Sequence, residues 1–234
     1  LYKVEVRELG LELGVPRELV FRHPFPGPGL GVRLLCSTGE ADRANFDEIV
    51  PALAEVAERG PIAVRLLPIR SVGVKADLRS YEHPVLLAGE ASWPELRRLA
   101  AELPKRVPHV NRCLWWLGEG APERFRPLAA TVTRDRLDLL READAIVMSA
   151  LVRHGLYDAI WQCPTVLVPL EVDGRGRELA ILRPVHSERA MTATPVELPA
   201  PVRDEVAAAI AALPGISGVA LDLTTKPPGT IEWE

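Results

Sequence analysis

The last residues of the sequence include side chains suited to binding an anionic ligand. Lys226 precedes two prolines, whose rings restrict the backbone, so its ammonium group would project in a defined direction. Thr230 and Glu232 follow, alternating with apolar residues as in a β-strand. A lysine can neutralise a phosphate, a threonine hydroxyl can donate to one, and a carboxylate can accept hydrogen bonds from N–H groups of a ring. Residue type alone leaves open an ordinary surface lysine and polar side chains at a sheet edge.

Three further polar residues lie at predicted strand boundaries. Asp77 and Arg79 fall at the tip between two predicted strands, where such residues are usually turn formers. A guanidinium group can nevertheless pair with two phosphate oxygens at once. Gln162, in the run Ile160-Trp161-Gln162-Cys163, could donate to and accept from a ligand or could simply be a polar residue where a strand begins.

Catalytic and metal-binding patterns are missing from the sequence. Its three cysteines, Cys36, Cys113 and Cys163, are far apart and lack C-x-x-C spacing, which argues against a zinc site or a disulfide framework and favours a reducing cytoplasm. The glycine-rich segment at residues 27–31 contains Pro28, which removes a backbone donor, and it fails the G-x-G-x-x-G spacing of a phosphate loop. We therefore expect neither catalytic residues nor metal ligands in this chain.

The composition is that of an ordinary globular protein. The 234 residues are 47% hydrophobic and carry a formal net charge of −4, which gives no general attraction to nucleic acid or to an acidic membrane. No apolar run approaches the roughly 20 residues that a membrane helix needs. The chain opens on Leu1 and a charged amphipathic segment, so we expect it to begin inside a larger protein.

Hydrophobic spacing predicts the same order of elements twice. An opening helix over 2–14 and a Pro- and Gly-rich connector lead to a strand over 30–35. The first series is then a helix over 46–57, strands over 62–69 and 83–88, a helix from Ser92, and a strand over 110–117. The second series is a helix over 137–151, strands over 165–172 and 179–184 around an Asp173-Gly174 turn, a helix over 202–213, and a strand over 216–223.

This order predicts an α+β fold built from two tandem helix–strand–strand–helix–strand units. Each unit would be a small antiparallel sheet with helices on one face. The other face would be uncovered, and we expect the two units to pack as a pseudo-dimer for that reason. Internal pairing predicts a monomer, although a homodimer stays possible.

Blocks at the start, middle and end of the chain resemble GMP synthase, which aminates xanthosine monophosphate (XMP) to GMP with ATP and glutamine. The opening Lys3–Gly14 and the run 22–30 resemble the junction between its ATP-pyrophosphatase and C-terminal domains. The segment 71–81 is similar to its substrate loop, and residues 225–234 nearly reproduce its ending. The doubled arrangement resembles the long eukaryotic-type form.

The resemblance implies a site and a division into domains. Residues 1–29 would end the ATP-pyrophosphatase domain and form the junction, 30–120 would be a first dimerisation-type subdomain, and 121–234 would be a second one with the substrate tail. XMP would be bound by Asp77, Arg79, Gln162, Lys226, Thr230 and Glu232. This chain would bind no cofactor itself, since ATP and magnesium belong to the complete enzyme.

The partners implied are the ATP-pyrophosphatase and glutamine amidotransferase domains. The family's Ser-Gly-Gly-x-Asp-Ser loop and a nucleophilic cysteine with a histidine partner are missing here, so this chain alone is expected to be inactive.

The two units are unequal, which suggests a composite site. The first has the longer loop with Asp77 and Arg79, whereas the second continues into the tail from Lys226 to Glu234. We expect loop and tail to meet around one XMP molecule. Two rival functions stay open: a self-association module without ligand, and a sensor that binds purine nucleotides without its neighbouring domain.

Overall fold

The computed structural model describes residues 3–24, 29–57, 62–75, 78–188 and 190–234. The helices in these residues are α1 Lys3–Glu12, α2 Arg17–Val20, α3 Phe46–Ala57, α4 Trp93–Arg106, α5 Arg134–Arg153 and α6 Ala200–Ala211. The strands are β1 Ser37–Thr38, β2 Ala63–Leu66, β3 Ser71–Lys75, β4 Leu78–Ala88, β5 Val110–Trp116, β6 Phe125–Pro127, β7 Ala129–Ala130, β8 Thr165–Val168, β9 Leu170–Val172, β10 Glu178–Leu182, β11 Val185–His186, β12 Thr194–Pro195 and β13 Ile216–Asp222.

Local sequence explains where the long helices begin. Helix α4 follows Ser92 in an extended conformation and has a proline in its first turn, where the missing N–H has no intrahelical partner to lose. Helix α5 begins after Thr133, whose hydroxyl accepts a hydrogen bond from the backbone N–H of Arg136 at 3.3 Å. The helix thus starts three residues before the predicted Leu137. Each of these helices turns a row of apolar residues toward the sheet.

One mixed sheet runs through the molecule in the order β2-β4-β5-β13-β10-β8, and β3 pairs with the first half of β4. The predicted α+β class is confirmed, but the prediction of two separate antiparallel sheets is wrong. Strands β4 and β5 are parallel, as are β10 and β13. Each of these pairs is connected by a helix, α4 or α6, and such a crossover returns the chain in the same direction.

The two halves of the sheet have corresponding strand orders. In the first half β2 is antiparallel to β4, which is parallel to β5; in the second half β8 is antiparallel to β10, which is parallel to β13. The halves join edge to edge, because β5 and β13 pair antiparallel with Trp116 opposite Ala220 and Leu114 opposite Asp222. That the halves are copies of one unit, with the predicted domain boundaries, stays a prediction.

Apolar side chains are buried on both faces of this sheet. Successive residues of one strand, such as Leu86 and Leu87, belong to different clusters, as the period of two requires. One cluster packs under helices α3 to α6. The expectation that the two units pack on each other through the second face is wrong, since the halves join edge to edge and Leu35, Phe125 and Trp233 pack on that face.

Three local predictions have different outcomes. The strand predicted over 30–35 is wrong, because residues Gly31–Arg33 form a 3-10 helix. The strand predicted over 62–69 ends at Leu66, and the chain resumes as β3, which forms a hairpin arm with β4. The turn at Asp173 and Gly174 is confirmed, with φ angles of 51° and 77° at these positions, a combination that Asp-Gly tolerates.

No helix among the described residues is both long enough and apolar enough to cross a membrane.

Candidate functional site

A cavity of about 410 Å³ opens where the hairpin arm of the first half meets the end of the chain. Five of the six predicted site residues line it: Arg79, Gln162, Lys226, Thr230 and Glu232. The sixth, Asp77, lies outside the described residues. The volume is in the range of small-molecule sites. Sequence reasoning thus named residues that the fold brings together, although their role as XMP ligands stays a prediction.

The residues after β13, which we call the tail (residues 223–234), run back along β3. Gly229 forms an antiparallel bridge with Gly73. The backbone N–H of Val74 donates to Pro228 at 2.7 Å, and that of Val72 donates to Trp233 at 3.0 Å. The cavity therefore has walls from both halves of the chain, joined by main-chain hydrogen bonds.

Gln162 and Glu232 form the polar pair of the cavity. The backbone of Gln162 is bonded on both sides to Val185 in β11, which fixes where its side chain begins. Its Nε2 donates to Glu232 Oε1 at 3.4 Å. The second carboxylate oxygen, Oε2, is buried and has no hydrogen-bond partner among the described residues. Because a buried polar atom without a partner costs free energy, this oxygen indicates a donor other than the residues that the structure describes.

The charge state of Glu232 follows from its surroundings. Burial raises the pKa of the Glu232 carboxyl above its ordinary value, while the hydrogen bond from Gln162 and the positive charges of Arg33, Arg183 and Arg112 partly oppose that shift. As a carboxylate it would accept two N–H groups from a ligand. The adjacent amide offers both an N–H donor and a carbonyl acceptor, so the pair can match a ring that alternates donors and acceptors.

Lys226 and Arg79 supply positive charge to the same cavity. The backbone of Lys226 pairs with Ala193 through two hydrogen bonds, and its Nζ donates to the carbonyl oxygen of Ala190 at 2.6 Å. Arg79, opposite Val74 in the hairpin arm, is exposed. A lysine held by a single carbonyl and an exposed arginine can both turn to an incoming anion, and phosphate is the anion that such pairs bind best.

The hydroxyl group of Thr230 makes contacts within the protein that the sequence did not predict. Its Oγ1 lies 3.1 Å from the carbonyl oxygen of Val72 and also contacts the carbonyl oxygen of Glu232. It accepts a hydrogen bond from Nη2 of Arg112 at 3.0 Å. The hydroxyl proton is thus used within the protein, so the predicted donation from Thr230 to a phosphate would require this hydroxyl to change partner.

A buried charge cluster beside the tail was missed by the sequence analysis. Arg112, Asp222 and Arg183 are all 0% exposed. Both guanidinium groups lie 2.8 Å from Asp222, one on each carboxylate oxygen. Burial by itself would raise the pKa of Asp222, but the two guanidinium groups hold it below its ordinary value. The sequence feature that could have indicated this cluster is a charged residue within each of two mainly apolar strands, Arg112 in β5 and Asp222 in β13.

No group of three or more His, Cys, Asp or Glu side chains suited to a metal ion occurs among the described residues. Apolar residues of the cavity wall include Trp161, Ala190, Ile231 and Val72. Sequence reasoning did not name them as site residues because residue type does not distinguish an apolar side chain in a cavity wall from one in the core.

The fold and the cavity define an α+β domain with a cavity of small-molecule size whose walls come from both halves of the chain. Residues 149–233 match a family model described as the GMP synthase C terminal domain. The whole chain is 40% identical to a protein of Leptospira interrogans named as a probable glutamine-hydrolyzing GMP synthase, over 100% of this chain and 39% of that protein. The corresponding protein of Caenorhabditis elegans is 32% identical over 100% of this chain and 41% of its own length. The glutamine-hydrolyzing GMP synthase of Thermobifida fusca is 33% identical over 100% of this chain and 28% of its own length.

Residues 149–233 of this chain thus match the GMP synthase C-terminal domain family, and the whole chain is similar to part of these GMP synthases. It spans about two fifths or less of the length of these relatives.

Proposed function

We propose that this chain binds XMP and positions it for ATP-dependent amination to GMP within a glutamine-hydrolysing GMP synthase. The observation that carries the proposal is the buried Oε2 of Glu232, which lacks a partner among the described residues and lies in a cavity that also holds Gln162 and Lys226. A xanthine ring has N–H groups for this oxygen and carbonyl groups for the glutamine amide. A nucleotide phosphate would take the lysine.

Each side chain has a definite task in this proposal. Glu232 accepts ring N–H groups that a less oxidised purine lacks, and Gln162 donates to or accepts from the base. Lys226 and Arg79 neutralise the phosphate, and Asp77 is a further proposed contact. Thr230 supports the phosphate end if its hydroxyl changes partner. The contribution of this chain is orientation rather than proton transfer, since correct placement by itself lowers the barrier of a two-substrate step.

The remaining chemistry belongs to other parts of a complete enzyme. The purine oxygen would face an ATP-pyrophosphatase domain, where it would be adenylylated and then displaced by ammonia from a glutamine amidotransferase. ATP and magnesium would be bound there.

A purely structural module accounts poorly for the cavity. Packing alone gives no reason to bury a carboxylate oxygen without a donor, because replacing it by an apolar or bonded group would stabilise the fold. A self-association module also needs no lysine and glutamine converging on the same space.

Calorimetric titration of the complete gene product tests the proposal. XMP should bind with measurable heat below millimolar concentration. IMP, which lacks one of the ring oxygens and its adjacent N–H, should bind about 5- to 150-fold more weakly, since one missing polar contact costs about 1–3 kcal/mol. The absence of heat with millimolar XMP would favour the structural module. A nucleotide sensor would instead bind XMP without the neighbouring ATP-pyrophosphatase domain.

A further inference from the structure

We infer that Arg112 is the positioning residue that builds the cavity, although it does not line it. That Arg112 holds the tail in place follows from its contacts alone, whereas the expected effect on XMP binding rests on the proposed function. Arg112 projects from β5 in the first half of the chain and is fully buried. Its guanidinium group contacts the hairpin arm, strand β13 and the tail.

Four polar contacts of its guanidinium group define this role, and three of them share the two N–H groups of Nη2. Nη2 of Arg112 lies 2.9 Å from the carbonyl oxygen of Val72 in the hairpin arm. The same nitrogen lies 3.0 Å from Thr230 Oγ1 and 2.7 Å from the carbonyl oxygen of Glu232 in the tail. Nη1 donates to Asp222 at 2.8 Å. One side chain therefore contacts three other segments, two of which contribute residues to the cavity.

Trp233 reinforces the same junction. The guanidinium carbon of Arg112 lies 4.6 Å from the centroid of the Trp233 ring, within the range of a cation–π contact. The indole Nε1 donates to Asp222 at 3.1 Å. The tail is thus attached to the Arg112–Asp222 pair through its main chain at Glu232 and through the side chain of the following residue.

These contacts determine where the carboxylate of Glu232 lies. With its carbonyl oxygen bonded to Arg112 and Trp233 bonded to Asp222, the backbone at Glu232 has little freedom. The side chain is then held opposite Gln162. A lysine at position 112 would keep the charge but could not reproduce a planar fork that reaches Asp222 and the tail together.

Arg183 provides a matched control. It is equally buried and pairs with the same carboxylate, at 2.8 Å from Asp222 Oδ1, and it donates to the carbonyl oxygen of Thr224 at 3.1 Å. Within the described part of the chain it makes no hydrogen bond to residues 228–234. Replacing the guanidinium group of Arg183 should perturb the buried charge cluster but not the position of Glu232.

The test compares Arg112→Lys with Arg183→Lys in the complete gene product. Hydrogen exchange should accelerate in residues 229–234 of Arg112→Lys by at least about tenfold, equivalent to 1.4 kcal/mol of lost local stability, with β10 still protected. In Arg183→Lys, exchange in the same residues should stay within about twofold of wild type. Equal acceleration in both variants, or none in Arg112→Lys, would refute the positioning role.

The link to the ligand is measured separately. In steady-state assays with XMP, Arg112→Lys should raise KM by at least about tenfold while changing kcat much less, because a displaced binding group weakens binding without removing reacting groups. If wild-type protein does not bind XMP, the proposed function fails, but the exchange result still decides whether Arg112 holds the tail. If Arg112→Lys does not fold, Thr230→Val removes one contact of Arg112 and should accelerate exchange in the tail to a smaller extent.

Discussion

Gly73 of β3 and Gly229 of the tail form a backbone bridge that joins the first half of the chain to its end. The contact is tight: a Cβ atom added at Gly73 would lie 2.7 Å from the carbonyl oxygen of Pro228 and 2.9 Å from Nδ2 of Asn111. Side chains of any size are excluded here because the two backbones pass so close together. This bridge brings Arg79 and Lys226 to one cavity.

Gly73→Ala should therefore displace the tail. The nearest neighbour of the added methyl group is the backbone carbonyl oxygen of Pro228, which cannot move away without displacing the tail, so we expect a loss of about 1–3 kcal/mol in the free energy of unfolding. Urea denaturation measures this loss, and XMP titration should show weaker binding. Gly31→Ala is the control, since nothing lies within 4 Å of a Cβ atom added there. Equal effects of the two substitutions would contradict the close approach of β3 and the tail.

Lys226→Gln should affect phosphate recognition specifically. A hydrogen bond to a charged group contributes about 1.5–3 kcal/mol, so the variant should bind XMP about 10- to 100-fold more weakly. Its affinity for xanthosine, which has no phosphate, should be unchanged. Lys75→Gln removes an exposed lysine from the hairpin arm and serves as the control. If the affinities of Lys226→Gln for XMP and xanthosine fall equally, Lys226 does not bind the phosphate.

Glu232→Gln should change the pH dependence of stability. Burial raises the pKa of Glu232 in the folded state above its unfolded value, so the folded state binds the proton more tightly. Wild-type protein then loses stability as pH rises from about 4.3, the ordinary glutamate pKa, through the folded pKa. The glutamine variant lacks this loss and should gain stability relative to wild type between acidic and neutral pH.

Thermal denaturation at several pH values measures this difference. Glu234→Gln, which replaces an exposed carboxylate two residues further on, should follow the wild-type profile closely. A gap between wild type and Glu232→Gln that is constant from pH 4 to pH 7 would mean that Glu232 is not desolvated.

The three cysteines should react unequally with a thiol reagent. Burial raises the pKa of Cys113 and of Cys163 far above that of a free thiol, and nearby Asp222 and Asp144 add to these shifts. Cys36 is exposed. At neutral pH one thiol per folded chain should react quickly and all three should react in denaturant. Fast reaction of three thiols in the folded protein would contradict the described core.

Periodicity of apolar residues was sufficient to predict the helices and the α+β class. The spacing of Leu96, Leu99 and Leu103 marks the buried face of α4, and the Asp173-Gly174 pair marks a turn, since both signals depend only on near neighbours in sequence. The motif at the end of the chain likewise indicated which polar residues belong together. The hairpin arm was missed because β3 has only two apolar residues, Val72 and Val74, on either side of Gly73, which are too few to distinguish a short strand from a loop.

Tertiary structure alone decided how these elements meet. Parallel pairing of β4 with β5, the edge-to-edge joining of β5 and β13, and the covering of the second sheet face all depend on contacts between distant segments. The same holds for Arg112 and Asp222, which are separated by 110 positions in the chain and form an ion pair at 2.8 Å in the core. Local sequence fixes which residues are apolar or charged, but only the folded chain determines which buried charges find a partner, because pairing depends on proximity in space.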